Sequence, residues 1–410
     1  MFLLEDAGYS FKSLETDVSL RKNYGIDAYL ETEKLFVDSM YIDSLKFTIF
    51  EDSISTKFKA DVSNGKDNPQ MVFHAFLDGQ LLAEKADVGV RIFDKDNKLG
   101  IMLGTSARIT PDSLLLTLTP TSDSDTDSDI ERPILGYKAY NLNADNYLSL
   151  HKGNKIKANI MLEADDGTGL QIYSIPNETA KQDLALEVNS FDLTELTAMI
   201  PLMPKIAGNL NGDVHIVQTD KNWSVASDLG ISNMAFEKVP LGDIGLGLVL
   251  IPDLNGGESL LSGTLTKDGH DIAVLNGSYQ PIYDDNSENQ GMVDAHMELI
   301  NLPLDMANGF IPQQVIGFNG LANGRVDIVG HTDSLKVSGE LALDSAHLYS
   351  VPYGVDFRFG NTPIRVADSK LVLSGFTIYG HNENPLTLNG NIDFSDVYNT
   401  TMDLRMTAHD

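Results

Sequence analysis

Residues 205–217 read KIAGNLNGDVHIV, and residues 317–329 read GFNGLANGRVDIV. The two stretches share an Asn-Gly pair followed by alternating apolar residues, at a constant offset of 112 positions. The matching residues are Gly212, Val214 and Ile216 in the first stretch and Gly324, Val326 and Ile328 in the second. Alternation with a period of two predicts β-strands, and a phrase that occurs twice predicts a duplicated structural unit.

The similarity continues on both sides of these stretches: residues 188–201 match 299–312, and residues 225–242 match 337–354. In the upstream segment, Asp192 can cap a helix, and Glu195 follows it by three positions. Its counterpart has the same layout of apolar residues and also ends at a proline. Each repeat, at about 185–297 and 298–410, is therefore predicted to hold one short helix and several strands.

Strand-like alternation dominates the rest of the chain. The segments SLKVSGELAL (residues 334–343) and PLTLNGNIDF (residues 385–394) place aliphatic side chains at every second position, and Gly, Asn and Asp clusters separate such runs. This pattern is typical of half-buried antiparallel strands joined by tight turns. The predicted fold class is mainly β, with few short helices.

The charge balance limits the partners that the chain can bind. Asp and Glu number 59 against 29 Lys and Arg, which gives a net charge of −30. A surface this acidic repels phosphate backbones and anionic headgroups, so nucleic-acid binding is not expected. The chain has no cysteine, which excludes disulfides and thiolate chemistry.

An acidic segment divides the chain. Residues 121–133 (TSDSDTDSDIERP) contain one apolar residue, Ile130, and are predicted to form a solvated linker. It separates a β-rich N-terminal segment, residues 1–120, from the repeat-bearing part, residues 134–410. A calcium loop starting at Asp123 would need glycine at its sixth position and glutamate at its twelfth, and neither is present.

The sequence contains no recognisable catalytic or metal-binding motif. No two of the nine histidines lie within four positions of each other, so the sequence offers no local metal-binding pair. The segment GDIGLG at 242–247 leads into an alternating run rather than into a helix, which argues against a dinucleotide site. We therefore predict a protein without enzymatic activity, metal or cofactor.

The two short helices, the G-x-x-N-G-x-V-x-I-V strands and the VPLG and VPYG turns resemble the TamB family, within the broader AsmA-like group. The most specific stretch is residues 341–396, which is similar to Bacteroidetes-type members. The resemblance covers residues 185–410 well and residues 135–184 moderately. It implies an internal fragment of a periplasmic protein, with the inner-membrane anchor and the domain that engages a TamA-like outer-membrane barrel lying outside this chain.

The resemblance also implies an elongated, repetitive β-sheet curled into a groove (a β-taco or solenoid-like arrangement). Such a groove moves phospholipid between the inner and outer membranes, or assists outer-membrane protein assembly, and phospholipid acyl chains contact its lining. The expected lining residues are the alternating aliphatic and aromatic side chains Val214, Ile216, Leu229, Ile231, Val326, Ile328, Val337, Leu341, Leu343, Leu371, Leu373, Leu386, Leu388, Ile392 and Phe394.

Two other interpretations remain open at this point. A repetitive surface protein, such as an adhesin stalk with a sealed core, would show the same alternation, because both folds bury one face of each strand. A β-helix lyase is less compatible, because its coils repeat every 20 to 30 residues or so, far below the observed offset.

Overall fold

The computed structural model describes residues 9–21, 25–37, 40–69, 71–120, 132–153, 155–201, 203–220, 222–253, 257–282, 291–311, 315–380, 384–396 and 400–408. The chain divides into two compact units. Unit 1 comprises Met1–Asn177 and Leu184–Asn211, and unit 2 comprises Glu178–Asp183 and Gly212–Asp410. The predicted domain boundaries remain a prediction, and most of the predicted linker, residues 121–131, lies outside the described residues.

The described strands of the first part of the chain are β1 (Tyr9–Arg21), β2 (Gly25–Val37), β3 (Met40–Ile42), β4 (Ser44–Glu51), β5 (Thr56–Asn64), β6 (Phe73–Leu81), β7 (Lys85–Phe93), β8 (Leu99–Ile109), β9 (Ser113–Thr119), β10 (Ile134–Leu135), β11 (Lys138–Leu142), β12 (Tyr147–His151), β13 (Lys155–Ala164), β14 (Gly169–Ser174), β15 (Gln182–Asp192) and β16 (Ile206–Gln218). In unit 1 the strands pair antiparallel with near neighbours in the sequence, in the order β1, β2, β4, β5, β6, β7, β8, β9, β12, β13, β14 and β15.

One helix belongs to unit 1, and the sequence predicted it correctly. Helix α1 spans Leu193–Met199, and the Asp192 side chain caps it by accepting the N–H of Thr194 at 2.8 Å. Leu196 and Met199 pack onto apolar residues of the unit 1 sheet. The helix is short, and its packing rather than its intrinsic propensity stabilises it.

Unit 2 contains β17 (Trp223–Phe236), β18 (Val239–Ile251), β19 (Ser259–Lys267), β20 (His270–Pro281), β21 (Gly291–Pro303), β22 (Gly317–His331), β23 (Lys336–Ser350), β24 (Val355–Phe359), β25 (Ile364–Ala367), β26 (Lys370–Tyr379), β27 (Pro385–Asp393) and β28 (Thr401–Ala408). Strands β17 to β23 pair antiparallel in sequence order. The short strands β24 and β25 both pair β23 with β26, and β27 and β28 follow.

The second predicted helix is a 3-10 helix, Leu304–Phe310. It follows Pro303, which has no side chain that could cap it. Instead, the Asn308 side chain bonds to both backbone groups of Phe318, at 2.9 Å to the carbonyl and 2.6 Å to the N–H. The ring of Phe310 stacks on Phe236 at 4.5 Å. These contacts tie the helix to β22 and β17.

The asparagines of the repeated phrase form hydrogen bonds that link neighbouring strands. In each case the asparagine side chain accepts the backbone N–H of a residue with positive φ in another strand. At Asn301 and Gly375 this residue lies in a bulge, which leaves its N–H out of the regular ladder. The bonds are Ser190 to Asn211 at 2.8 Å, Asn301 to Asn323 at 2.7 Å, and Gly375 to Asn389 at 2.8 Å. The last of these is a third instance, outside the two repeated phrases.

The glycine that follows each asparagine is equally constrained. Gly212, Gly324 and Gly390 have φ values of 129°, 153° and 134°. A Cβ at these positions would clash with the carbonyl oxygens of Asp228, Glu340 and Asp403, respectively. The repeated phrase therefore marks places where a residue with positive φ is held on one side and a neighbouring strand approaches closely on the other.

The predicted fold class is confirmed, because the described residues form 28 antiparallel strands and two short helices.

Candidate functional site

The register of the strands in unit 2 defines a continuous apolar face. Directly paired residues of antiparallel strands point to the same side of the sheet, so a row of pairs traces one face. From β17 to β25 one row runs through Leu229, Leu246, Leu265, Ala273, Leu299, Gly324, Leu341 and Ile364. The same face continues from β25 to β28 through Val366, Leu371, Ile392 and Met402.

Unit 1 has an apolar face of the same kind, and much of it lies in residues 1–120, for which the sequence predicted only a β-rich segment. One row runs from β1 to β8 through Thr16, Leu30, Phe47, Ala60, Leu77, Val90 and Leu103. Further along, Ile160, Ile172 and Leu186 form a row across β13, β14 and β15. The sequence pattern that indicates this face is the alternation in β4, where Leu45, Phe47 and Ile49 occupy every second position.

Parts of both apolar faces are open to solvent. On unit 2, Leu246 is 48% exposed and Met402 is 70% exposed. On unit 1, Val18 is 66% exposed and Leu77 is 37% exposed, and both lie on the same side of the sheet as the traced row. A sealed core would bury such side chains almost completely, since core residues contact neighbours on all sides.

Other sectors of these faces are closed by packing. In unit 1, Met199 of α1 is 1% exposed and packs with Ile92 and Ile101. In unit 2, Leu373, Phe376 and Ile378 form a buried cluster that other aliphatic and aromatic side chains surround. Each apolar face therefore combines covered and uncovered stretches.

The predicted lining residues lie in β16, β17, β22, β23, β26 and β27, except Phe394, which follows β27 and donates its N–H to the Ser369 carbonyl at 3.0 Å. Val326 and Leu373 are buried, and all the others are half-buried. The structure pairs Ile328 with Val337 and Leu371 with Ile392, and it packs Leu343, Leu386 and Leu388 around the Leu373 cluster. Their contact with lipid stays a prediction.

The opposite face of each sheet is polar and carries cross-strand ion pairs. In unit 1, Lys46 contacts Glu31 at 3.0 Å, and in unit 2, Lys370 contacts Asp393 at 2.7 Å. The hydrogen bond from Lys370, helped by Ser395, lowers the pKa of Asp393 to about 2. These exposed pairs keep the polar face charged and solvated, and each contributes little to stability.

Two tyrosines beside α1 have raised pKa values. Burial, with the nearby charges of Asp166 and Asp192, raises the pKa of Tyr140 to about 12. Burial and a 2.8 Å hydrogen bond to Asp94 also raise the pKa of Tyr137. Both hydroxyls are therefore harder to ionise than an exposed tyrosine, and that of Tyr137 donates its hydrogen bond to Asp94.

Metal-binding geometry is absent from the part of the chain that the structure describes: no three His, Asp or Glu side chains converge there. His74, His215 and His347 each contact a single aspartate, at 2.7 Å, 2.7 Å and 3.0 Å. The described helices are also too short to cross a bilayer. The absence of enzymatic activity remains a prediction.

Comparison with known protein families, with characterised proteins and with solved structures gives no match. The resemblance to the TamB family therefore rests on the residues quoted above.

Proposed function

We propose that this chain holds lipid acyl chains on its apolar sheet faces and belongs to a system that moves phospholipid across a cell envelope. The observation that carries the proposal is the largely apolar row of each unit, which includes Leu246 of unit 2, 48% exposed, and Leu77 of unit 1, 37% exposed. Solvated monomeric proteins seldom leave such apolar surface uncovered without a ligand or partner for it.

The energetics of acyl transfer make such a surface useful. Exposing an acyl chain to water costs about 0.8 kcal/mol per CH₂, or roughly 12 kcal/mol for a sixteen-carbon chain. A continuous strip of Leu, Ile and Val offsets much of that cost, because the acyl chain then contacts hydrocarbon instead of water. The headgroup stays in solvent. The protein, with its net charge of −30, has no electrostatic attraction to anionic membrane surfaces.

The resemblance to the TamB family supports a more specific form of the proposal. In that form the chain lies in the periplasm of a double-membraned bacterium, works between the inner and outer membranes, and acts with a TamA-like barrel in lipid transport or outer-membrane protein assembly. The support for this form is the amino-acid pattern of residues 185–410 together with the β-rich fold.

Site-specific photo-crosslinking tests the lipid proposal. Strand β18 offers a matched pair of positions: Leu246 on the apolar face is 48% exposed, and Val249 on the polar face is 37% exposed. A photo-reactive amino acid at 246 is expected to capture phospholipid when the chain is produced in the periplasm of a Gram-negative host. The same amino acid at 249 has comparable access to solvent and should capture far less.

Equal lipid labelling at the two positions, or none at either, would contradict the proposal. The rival sealed-core surface protein predicts no lipid adduct at 246. It also predicts that a charge introduced anywhere on the apolar face unfolds the chain, because no part of that face would then reach water.

A further inference from the structure

A depression of about 520 Å³ lies on the unit 1 sheet, and the lipid proposal does not use it. Most of its lining residues sit on the polar face of β5 to β9. One register row crosses it through Lys59, Asp78, Gly89, Gly104 and Thr119. The paired glycines at its centre carry no side chains, so the floor is bare backbone and a ligand can approach it closely.

Three cationic side chains surround this floor. Lys57 and Lys59 are exposed, flank Phe58 and so share the polar face, with their Cα atoms on the order of 7 Å apart. Arg91 is more enclosed, with 23% of its side chain exposed, and it is held 3.3 Å from Asp78 and 5.7 Å from the Phe76 ring centroid. A cation fixed in this way loses little freedom when it binds an anion.

The charges in the depression do not cancel. Asp78 is engaged by Arg91, and Asp87 accepts a hydrogen bond from Lys85 at 2.8 Å. Among the residues that the structure describes, neither Lys57 nor Lys59 forms an ion pair or a side-chain hydrogen bond. The chain as a whole carries a net charge of −30, so two lysines without such partners beside an open floor form a local exception to its acidic surface.

We propose that this depression binds a phosphate group, with Lys57, Lys59 and Arg91 as its cationic contacts and with Gln80 and Thr119 as further hydrogen-bond donors. A phosphate group offers several acceptor oxygens and a double charge, which suits a fork-shaped guanidinium and two ammonium groups. The site lies on the face of unit 1 opposite its apolar row. An acyl chain bound along that row therefore has its headgroup on the other side of the sheet from this site. The proposal is therefore independent of lipid carriage.

Isothermal titration calorimetry of the intact chain with inorganic phosphate at low ionic strength tests the site. The double variant Lys57→Gln/Lys59→Gln should bind at least about tenfold more weakly, because two charge-assisted contacts are lost. A second variant, Gly89→Val, should also weaken binding by filling the floor, while the β-branched residue suits a strand. Circular dichroism establishes that each variant keeps the β fold.

Strand β13 supplies the matched control. Lys155 and Lys157 flank Ile156 as Lys57 and Lys59 flank Phe58, but they lie outside the depression. Lys155→Gln/Lys157→Gln should leave phosphate binding unchanged. Equal losses in the two double variants would show nonspecific charge attraction, and no measurable binding by the unaltered chain, or full binding by folded Gly89→Val, would also overturn the proposal.

Vesicles distinguish a soluble phosphate from a lipid headgroup. Phosphatidylcholine vesicles with and without phosphatidic acid are compared in a flotation assay with the same variants. Flotation that requires phosphatidic acid together with Lys57 and Lys59 identifies a headgroup as the source. Calorimetric binding without such flotation identifies a soluble phosphate compound.

Discussion

A pair of leucines on one strand offers a sharp test of whether the apolar face of unit 2 is open. Both residues lie in β18, where Leu241 is 5% exposed and Leu246 is 48% exposed. We consider replacing each by aspartate. The substitution is chemically the same, so a difference in its effect reports the environment of each side chain.

The expected magnitudes differ by several kcal/mol. Complete burial of a leucine side chain contributes roughly 1.5–3 kcal/mol, and Leu241→Asp loses that and also buries a carboxylate, for a total of at least about 4 kcal/mol. Leu246 is only half-buried, so Leu246→Asp loses about 1 kcal/mol and leaves its charge in water. With a urea dependence of about 2 kcal/mol per M, the unfolding midpoints should differ by about 1.5 M.

The chain contains a suitable reporter. Its single tryptophan, Trp223, begins β17, the strand that pairs with β18. Tryptophan fluorescence during urea unfolding therefore follows the region that both substitutions perturb. Equal midpoint shifts for the two variants, or complete unfolding of Leu246→Asp in buffer, would refute the assignment of an open apolar face.

Three further outcomes follow from the structure. Asn323→Ala should destabilise unit 2 by about 0.5–1.5 kcal/mol in urea unfolding, because the exposed Asn301 N–H at the bulge exchanges its side-chain acceptor for water; unchanged stability would contradict this role. Gly212→Ala should lower the thermal midpoint, because its φ of 129° and the neighbouring strand leave no place for a Cβ; a midpoint equal to that of the unaltered chain would show that the backbone relaxes freely. The folded pKa of Asp393 of about 2 lies below the unfolded value of about 3.9, so its contribution to stability is present above about pH 3.9 and is lost as the pH falls towards 2. Lys370→Met should move the midpoint of a carboxylate NMR titration of Asp393 back towards about 3.9, whereas an unmoved midpoint would leave Ser395 as the main cause.

The sequence predicted the strands and the capped helix because both depend on local patterns. Alternation specifies which residues of one strand share a face, and Asp192 caps α1 through a contact two residues away. The apolar face of unit 1 was missed because a face that spans many strands depends on their register. Register depends on how each strand pairs with other strands, so it cannot be predicted from the alternation within one strand.

Bulges explain the other omissions from the predicted lining. Leu371 and Leu373 were predicted from their parity, but the register shift after Leu373 brings Phe376 and Ile378, of the other parity, to the same face. The inserted residues include Gly375, whose N–H is satisfied by Asn389. A prediction that assumes a fixed period of two therefore assigns residues to the wrong face beyond the first bulge.

The pairing of strands with their neighbours in the sequence has a consequence for how such a chain can grow. In β18 to β22 each strand pairs with the strand before it and with the strand after it, so the strands that pair there are consecutive in the chain. Sheets of this kind can form hairpin by hairpin, with little entropy lost in closing long loops. A duplicated segment inserted at a turn adds its own strands and leaves the existing ones with partners of equivalent sequence, so the sheet lengthens by gene duplication without a new fold being required.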